Sequence, residues 1–211
     1  MKPSESEHGA PLISTQRLRA HFNERPDPPP PLVYSDDAVD FKHLYEKSQS
    51  AAAVLIPILD EALGPELLLT RRADHLRSHA GQISFPGGRR EPHESYIEAA
   101  LREAREEVDL PEHQVDVLGR LGDYYTISGF RVTPVIGLVR PPVELHPDPS
   151  EVAEIIRVPL NRLMRPGVFS LKEHKHGELT RRYYSTYYRG HHIWGVTAGI
   201  LMGLYQELLD P

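Results

Sequence analysis

The sequence predicts an α/β domain, and three features carry that reading. Five runs, Ala51 to Leu59, Glu66 to Thr70, Val115 to Leu121, Arg131 to Val139 and Glu151 to Val158, have the length and β-branched or apolar composition of strands. A capped helix with a carboxylate-rich face opens near Tyr96. A second helix, Val196 to Leu209, reads as amphipathic and closes the chain. With 211 residues, 39% of them hydrophobic, the chain can bury one good core.

Taken in order, residues Met1 to Pro31 are polar and proline-dense, with Pro26 and Pro28 to Pro31 favouring extended backbone. They are expected to form a flexible arm, with the domain spanning 32–211. Asp40 to Lys47 has the pattern of a short helix, with Phe41, Leu44 and Tyr45 on one side. The run from Ala51 ends at a turn over Gly64-Pro65, so Glu66 to Thr70 is expected as its hairpin partner. Pro57 inside that run suggests an edge or a bulge, because it lacks an N–H. Gly122 to Gly129 reads as a connecting loop or as the lining of a cleft. The acids Glu151 and Glu154 fit a solvated surface or a general base. Arg189-Gly190 is a hairpin turn into His191 to Trp194. The tyrosines before it, Tyr183, Tyr184, Tyr187 and Tyr188, fit sheet packing or the stacking of a nucleobase.

Composition excludes several classes of function. A formal charge of -6 lacks the basic excess of a nucleic-acid binder. Without cysteine there is no disulfide framework, thiolate metal site or cysteine nucleophile. No apolar run approaches the ~20 residues that span a bilayer, and Met1 to Ala20 has no signal-peptide core. The expectation is a soluble cytoplasmic protein without nucleic-acid or membrane partners; a homodimer is compatible with the sequence.

The chemistry concentrates between Phe85 and Leu110. Ser95 followed by Glu98 has the form of a capping box. Beyond it, Ile97, Ala100, Leu101, Ala104 and Val108 make an apolar stripe at helical spacing. Glu103, Glu106 and Glu107 then share an arc of roughly 100° beside the stripe. Like charges four apart are a liability unless a cation lies between them, and hard oxygen donors of this kind suit Mg2+ or Mn2+. The alternative is a solvated face on which Glu98, Arg102 and Glu106 pair. Just upstream, Gly87 and Gly88 would let backbone N–H groups approach a phosphate. Arg71, Arg72 and Arg77 offer planar forks that suit phosphate oxygens.

The spacing Gly88, Glu94, Arg102-Glu103-Ala104, Glu106-Glu107 and Asp109-Leu110 closely resembles the Nudix box. Asp109 stands where that family usually has glycine, which puts the helix exit in question. The residues Leu68-Leu69-Thr70, Arg72-Ala73, Arg77, Gly81 and Phe85 to Gly88 resemble the segment preceding the box in the coenzyme A diphosphatase branch. Trp194-Gly195 and Thr197-Ala198 are similar to its C-terminal segment. The resemblance implies an α/β/α sandwich with a mixed sheet, and metal ligands Glu103, Glu107 and Glu106. It implies Arg102 as an orienting partner and Glu106 as ligand or proton acceptor. Arg72, Arg77, Gly87 and Gly88 would bind a CoA-like nucleotide, cleaved to an adenosine bisphosphate and a phosphopantetheine. Hydrolysis of ADP-ribose or a dinucleotide, and a noncatalytic nucleotide-binding module, are the competing expectations.

Overall fold

A computed structural model describes residues 13–24, 50–176 and 179–209 of the chain. The helix expected over Asp40 to Lys47 and the prolines at 26–31 lie outside the described residues.

The strand β1 (Ser50–Leu59) is the spine of an eight-stranded sheet. It runs parallel to β7 (Phe130–Val139) along its whole length. It pairs antiparallel with β4 (Gly87–Arg89) near its start and with β2 (Glu66–Arg72) at its end. The strand β2 in turn pairs with β3 (Ile83–Ser84) and β8 (Val152–Pro159), while β7 pairs with β5 (Val115–Arg120) and β6 (Tyr124–Tyr125). One parallel pair among antiparallel ones makes the sheet mixed.

Both faces of β1 are covered, which is why it reads as an unbroken apolar run. Ala53, Leu55 and Leu59 pack with Ala99, Ala100 and Ala104 of helix α2 (Tyr96–Val108). Ala52, Ile56 and Ile58 belong to the opposite core, shared with Leu201 and Leu204 of helix α4 (Gly195–Leu209). Helices on both faces of a mixed sheet give the predicted α/β/α sandwich. Pro57 stands at neither an edge nor a bulge. It lies in this central strand, in the gap between the pairing with β4 and the pairing with β2, where a missing N–H breaks no antiparallel ladder.

The closing helix departs from its expected amphipathic character, since none of its residues is exposed. One side packs on the large sheet. Another meets a three-stranded sheet of β9 (Ser170–His176), β10 (Leu179–Tyr188) and β11 (His191–Trp194). The turn between β10 and β11 is the predicted one. Arg189 and Gly190 both have positive φ, 48° and 87°, as a two-residue hairpin loop of type I′ requires.

Helix α1 (Thr15–Asn23) corrects the expectation of a flexible arm through residue 31, at least for its own residues. The Ser14 side chain accepts the Arg17 N–H as N-cap. Ile13 and Leu18, the residues before the cap and at the fourth helical position, are both buried, as in a hydrophobic staple. Leu18 and Phe22 enter the core, and the flanks are tied down: Asn161 bonds both the N–H and the C=O of Ile13 (2.7 and 3.0 Å), and His21 meets Glu207 at 2.9 Å. Helix α3 (Leu160–Leu163) is a single turn after β8.

Candidate active site

Helix α2 starts where the sequence places it. Ser95 and Glu98 bond each other's backbone N–H reciprocally, at 3.2 and 2.6 Å, so two otherwise orphan donors are satisfied. At the other end Asp109 adopts the left-handed conformation (φ 56°, ψ 34°) that glycine would take more cheaply. Its N–H reaches the carbonyls of Ala104 and Arg105, and the N–H groups of His146 and Asp148 cap those of Val108 and Glu107. The exit geometry is therefore retained with Asp.

The Gly87-Gly88 pair is not a phosphate-cradling turn. It is strand β4, held flat against β1 with Gly87 opposite Val54 and Gly88 opposite Ala53. The glycines are required by packing: a Cβ on Gly87 would fall 2.4 Å from the Ala53 carbonyl oxygen, and one on Gly88 would fall 2.5 Å from Glu103 Oε1. The Gly87 N–H points at a carboxylate, donating to Glu107 Oε1 at 3.4 Å.

Arg102 organises the acidic face. Nε and Nη2 donate to the two oxygens of Glu94 (3.1 and 2.9 Å), Nη1 donates to Glu103 Oε1 and Glu106 Oε2 (2.9 and 3.0 Å), and Nη2 also reaches the Arg89 carbonyl at 3.1 Å. These bonds use all five N–H groups a guanidinium has. The bond from Arg102 holds the Glu94 carboxyl below its ordinary range, and the Arg102 pKa is raised in return, first by Glu94. With no donor left for a ligand, Arg102 fits the orienting role read from the sequence.

Among the described acids Glu107 is the most confined, only 4% exposed. Burial pushes its pKa up to about 8, the neighbouring Glu103 and Glu151 push in the same direction, and the Gly87 N–H and Arg72 oppose them. Glu103 is also raised, first by burial and further by Glu106 and Glu151, against its bond to Arg102. The sequence offers Glu151, with Glu154, as a solvated surface acid or a general base. The structure brings its charge against both Glu103 and Glu107, because the pairing of β8 with β2 and the bond from the Ala73 N–H to the Glu151 carbonyl fix it there.

A cavity of about 720 Å3 is lined by Arg72, Gly87, Gly88, Tyr183, Trp194 and Thr197 but by none of these acids; Glu103 is packed behind Gly88. Arg72 is set there by its backbone bonds with Gln82 and Gly81, and its Nε is buried with no partner. Arg77 stands exposed on the loop between β2 and β3 and does not line the cavity. Ile127 and Ser128, from the loop between β6 and β7, do.

Among the described residues, no three acidic or histidine side chains already converge on one point as a closed metal site. Arg102 occupies Glu103 and Glu106 instead. The donor set nonetheless suits a hard divalent cation. Glu94, Glu103, Glu106, Glu107 and Glu151 stand against the guanidiniums of Arg72 and Arg102, and burial leaves Glu107 and Glu103 short of positive charge.

A mixed-sheet sandwich with Arg72 in the lining of a cavity and a carboxylate helix packed behind Gly88 is the frame of a hydrolase acting on phosphoric anhydrides. Residues 49–183 match the NUDIX domain, and the chain belongs to the Nudix hydrolases, pyrophosphohydrolases that act on nucleoside diphosphate derivatives. Proteins described as uncharacterized Nudix hydrolase NudL from Yersinia pestis and Yersinia pseudotuberculosis are each 42% identical over 179 residues, covering 84% of this chain and 89% of the relative. Among solved structures, the Nudix hydrolase RenU of M. smegmatis is 28% identical, with a TM-score of 0.47 over 54% of this chain and 73% of that one.

Proposed function

We propose that the chain is a Mg2+- or Mn2+-dependent diphosphatase of coenzyme A and its acyl thioesters. Its products are adenosine 3′,5′-bisphosphate and (acyl-)4′-phosphopantetheine. The observation that carries this reading is Arg72, which lines a cavity that also touches Gly88, behind which Glu103 is packed. The segment holding Arg72 is also the one that resembles the coenzyme A branch.

Glu103, Glu106 and Glu107 would hold the cation, whose presence supplies charge neutralisation for the diphosphate and Lewis-acid activation of water. Arg72 binds diphosphate oxygens through its planar fork. Arg102 fixes Glu103 and Glu106 relative to each other. Water adds to phosphorus, the anhydride P–O bond breaks, and each product keeps one of the two phosphates of the diphosphate, the 3′-phosphate staying on the adenosine. The proton released by water needs an exposed carboxylate: Glu151 is one, and Glu106 is another where it is not itself holding the cation.

The test is mass analysis of products after coenzyme A is incubated with the protein and Mg2+ or Mn2+. Masses of adenosine 3′,5′-bisphosphate and 4′-phosphopantetheine support the reading. Turnover of ADP-ribose or a dinucleotide with coenzyme A left intact moves the assignment to those substrates. Binding without any phosphorylated product makes the chain a noncatalytic module.

A further inference from the structure

The strands β10 and β11 alternate, and their two faces differ in exposure. Tyr188 and Ile193 point inward and are buried. In the register that sets Tyr187 opposite His192 and Ser185 opposite Trp194, the residues Tyr183, Tyr187, His192 and Trp194 share the other face. There Tyr187 and Trp194 are 61% and 41% exposed. A core requirement would account for the inward residues; it gives no reason for rings on the outward side.

Those outward rings are arranged as a ledge. Tyr187 stacks on His192 with centroids 4.4 Å apart and planes 8° from parallel, and His192 lies 6.2 Å from Trp194 at 21°. Tyr183 meets Trp194 edge-on at 5.7 Å. His192 Nε2 lies 3.3 Å from Ser185 Oγ, which fixes the imidazole in the row. The ledge ends at the active site, because Trp194 and Tyr183 line the same cavity as Arg72 and Gly88.

We infer that Trp194, backed by Tyr183, stacks the purine ring of the nucleotide while its diphosphate reaches Arg72, so that the aromatic rim selects the nucleoside end of the substrate. This rests on the diphosphatase reading above for the identity of the ligand. A partly exposed indole at a cavity mouth rewards a planar heteroaromatic ring. A flexible phosphopantetheine chain has no π-face to offer. The two halves of the proposed substrate are thus distinguishable by this one side chain.

Trp194 is the only tryptophan in the chain, so fluorescence excited on the red edge of the indole band, beyond tyrosine absorption, reports on it alone. Adenosine 3′,5′-bisphosphate and 4′-phosphopantetheine, titrated separately without turnover, provide the test. Saturable quenching by the adenosine compound, with little response to phosphopantetheine, is the expected result. Trp194→Leu should weaken calorimetric binding of the adenosine compound at least fivefold and raise KM for coenzyme A more than it lowers kcat, with Trp194→Phe restoring most of both. A response to phosphopantetheine alone would overturn the inference, as would adenosine binding of equal affinity in Trp194→Leu. Cleavage of coenzyme A without quenching by either product sinks the stacking and leaves the diphosphatase reading standing. Quenching without cleavage of any diphosphate does the reverse.

Discussion

Glu103 occupies the space that a side chain on Gly88 would need: a Cβ there would lie 2.5 Å from Glu103 Oε1. Glu103 cannot simply swing aside, because Arg102 holds the same oxygen at 2.9 Å. Gly88→Ala is therefore expected to displace the carboxylate while leaving the sheet intact, lowering kcat at least tenfold, about 1.4 kcal/mol in barrier, with a near-native melting temperature. Gly87→Ala meets the backbone of β1 instead, at 2.4 and 2.6 Å from Ala53 and Val54, and should destabilise the fold by about 1–3 kcal/mol or more. Melting curves and steady-state kinetics on both variants check the contrast. Equal melting temperatures for the two would refute it.

What was legible in the sequence was local. The capping box, the apolar stripe of α2 and the Arg189-Gly190 turn each depend on residues within four positions of one another, and each appears as expected. The strand at Gly87-Gly88 was not legible, because nothing in two glycines announces that β1 will lie across them. Helix α1 had a signal, Ile13 and Ser14 ahead of Leu18 and Phe22, which the prolines downstream obscured. Among the arginines, sequence could not separate Arg72 from Arg77, since only the third dimension buries one and exposes the other. The outward face of the ring cluster was hidden for the same reason: alternation shows that two faces exist, not which is covered.

Replacing Arg102 by Lys tests whether geometry or charge matters. A lysine keeps the positive charge but offers a compact ammonium with three donors, where the guanidinium satisfies Glu94, Glu103, Glu106 and the Arg89 carbonyl together. The expected outcome is a loss of kcat/KM of roughly 100-fold in Arg102→Lys, about 2.7 kcal/mol, with weaker Mg2+ binding by calorimetry. If Lys supported activity within threefold of wild type, the fork would not be what positions the carboxylates.

The buried Glu107 makes metal-free stability depend on pH. Its folded pKa of about 8 lies above the ordinary 4.5, so between those values the folded chain keeps a proton that the unfolded chain releases. The folded state binds more protons there, and stability must fall as pH rises through this window, by at most about 1.4 kcal/mol per pH unit for one group. Glu103, shifted upward as well, adds in the same direction. Thermal unfolding in EDTA should show a drop on the order of 10 °C from pH 5 to pH 8.5. Glu107→Gln should flatten the slope, and Mg2+ should stabilise the wild type most at the alkaline end. An unchanged slope in the variant would rule Glu107 out as its source.

The two arginines of the upstream segment should behave differently despite their shared resemblance. Arg72 lines the cavity, and its charge acts on Glu107. Arg77 is exposed and lies outside the cavity lining. Losing a charge-assisted bond to a diphosphate costs about 1.5–3 kcal/mol, so Arg72→Ala should raise KM by roughly 10- to 100-fold, with partial recovery in Arg72→Lys. Arg77→Ala should change KM less than threefold. Steady-state kinetics on coenzyme A at saturating Mg2+ measures both, and a larger effect at Arg77 than at Arg72 would mean that the loop from Asp74 to Gly81 closes over the bound substrate and carries Arg77 onto its phosphates.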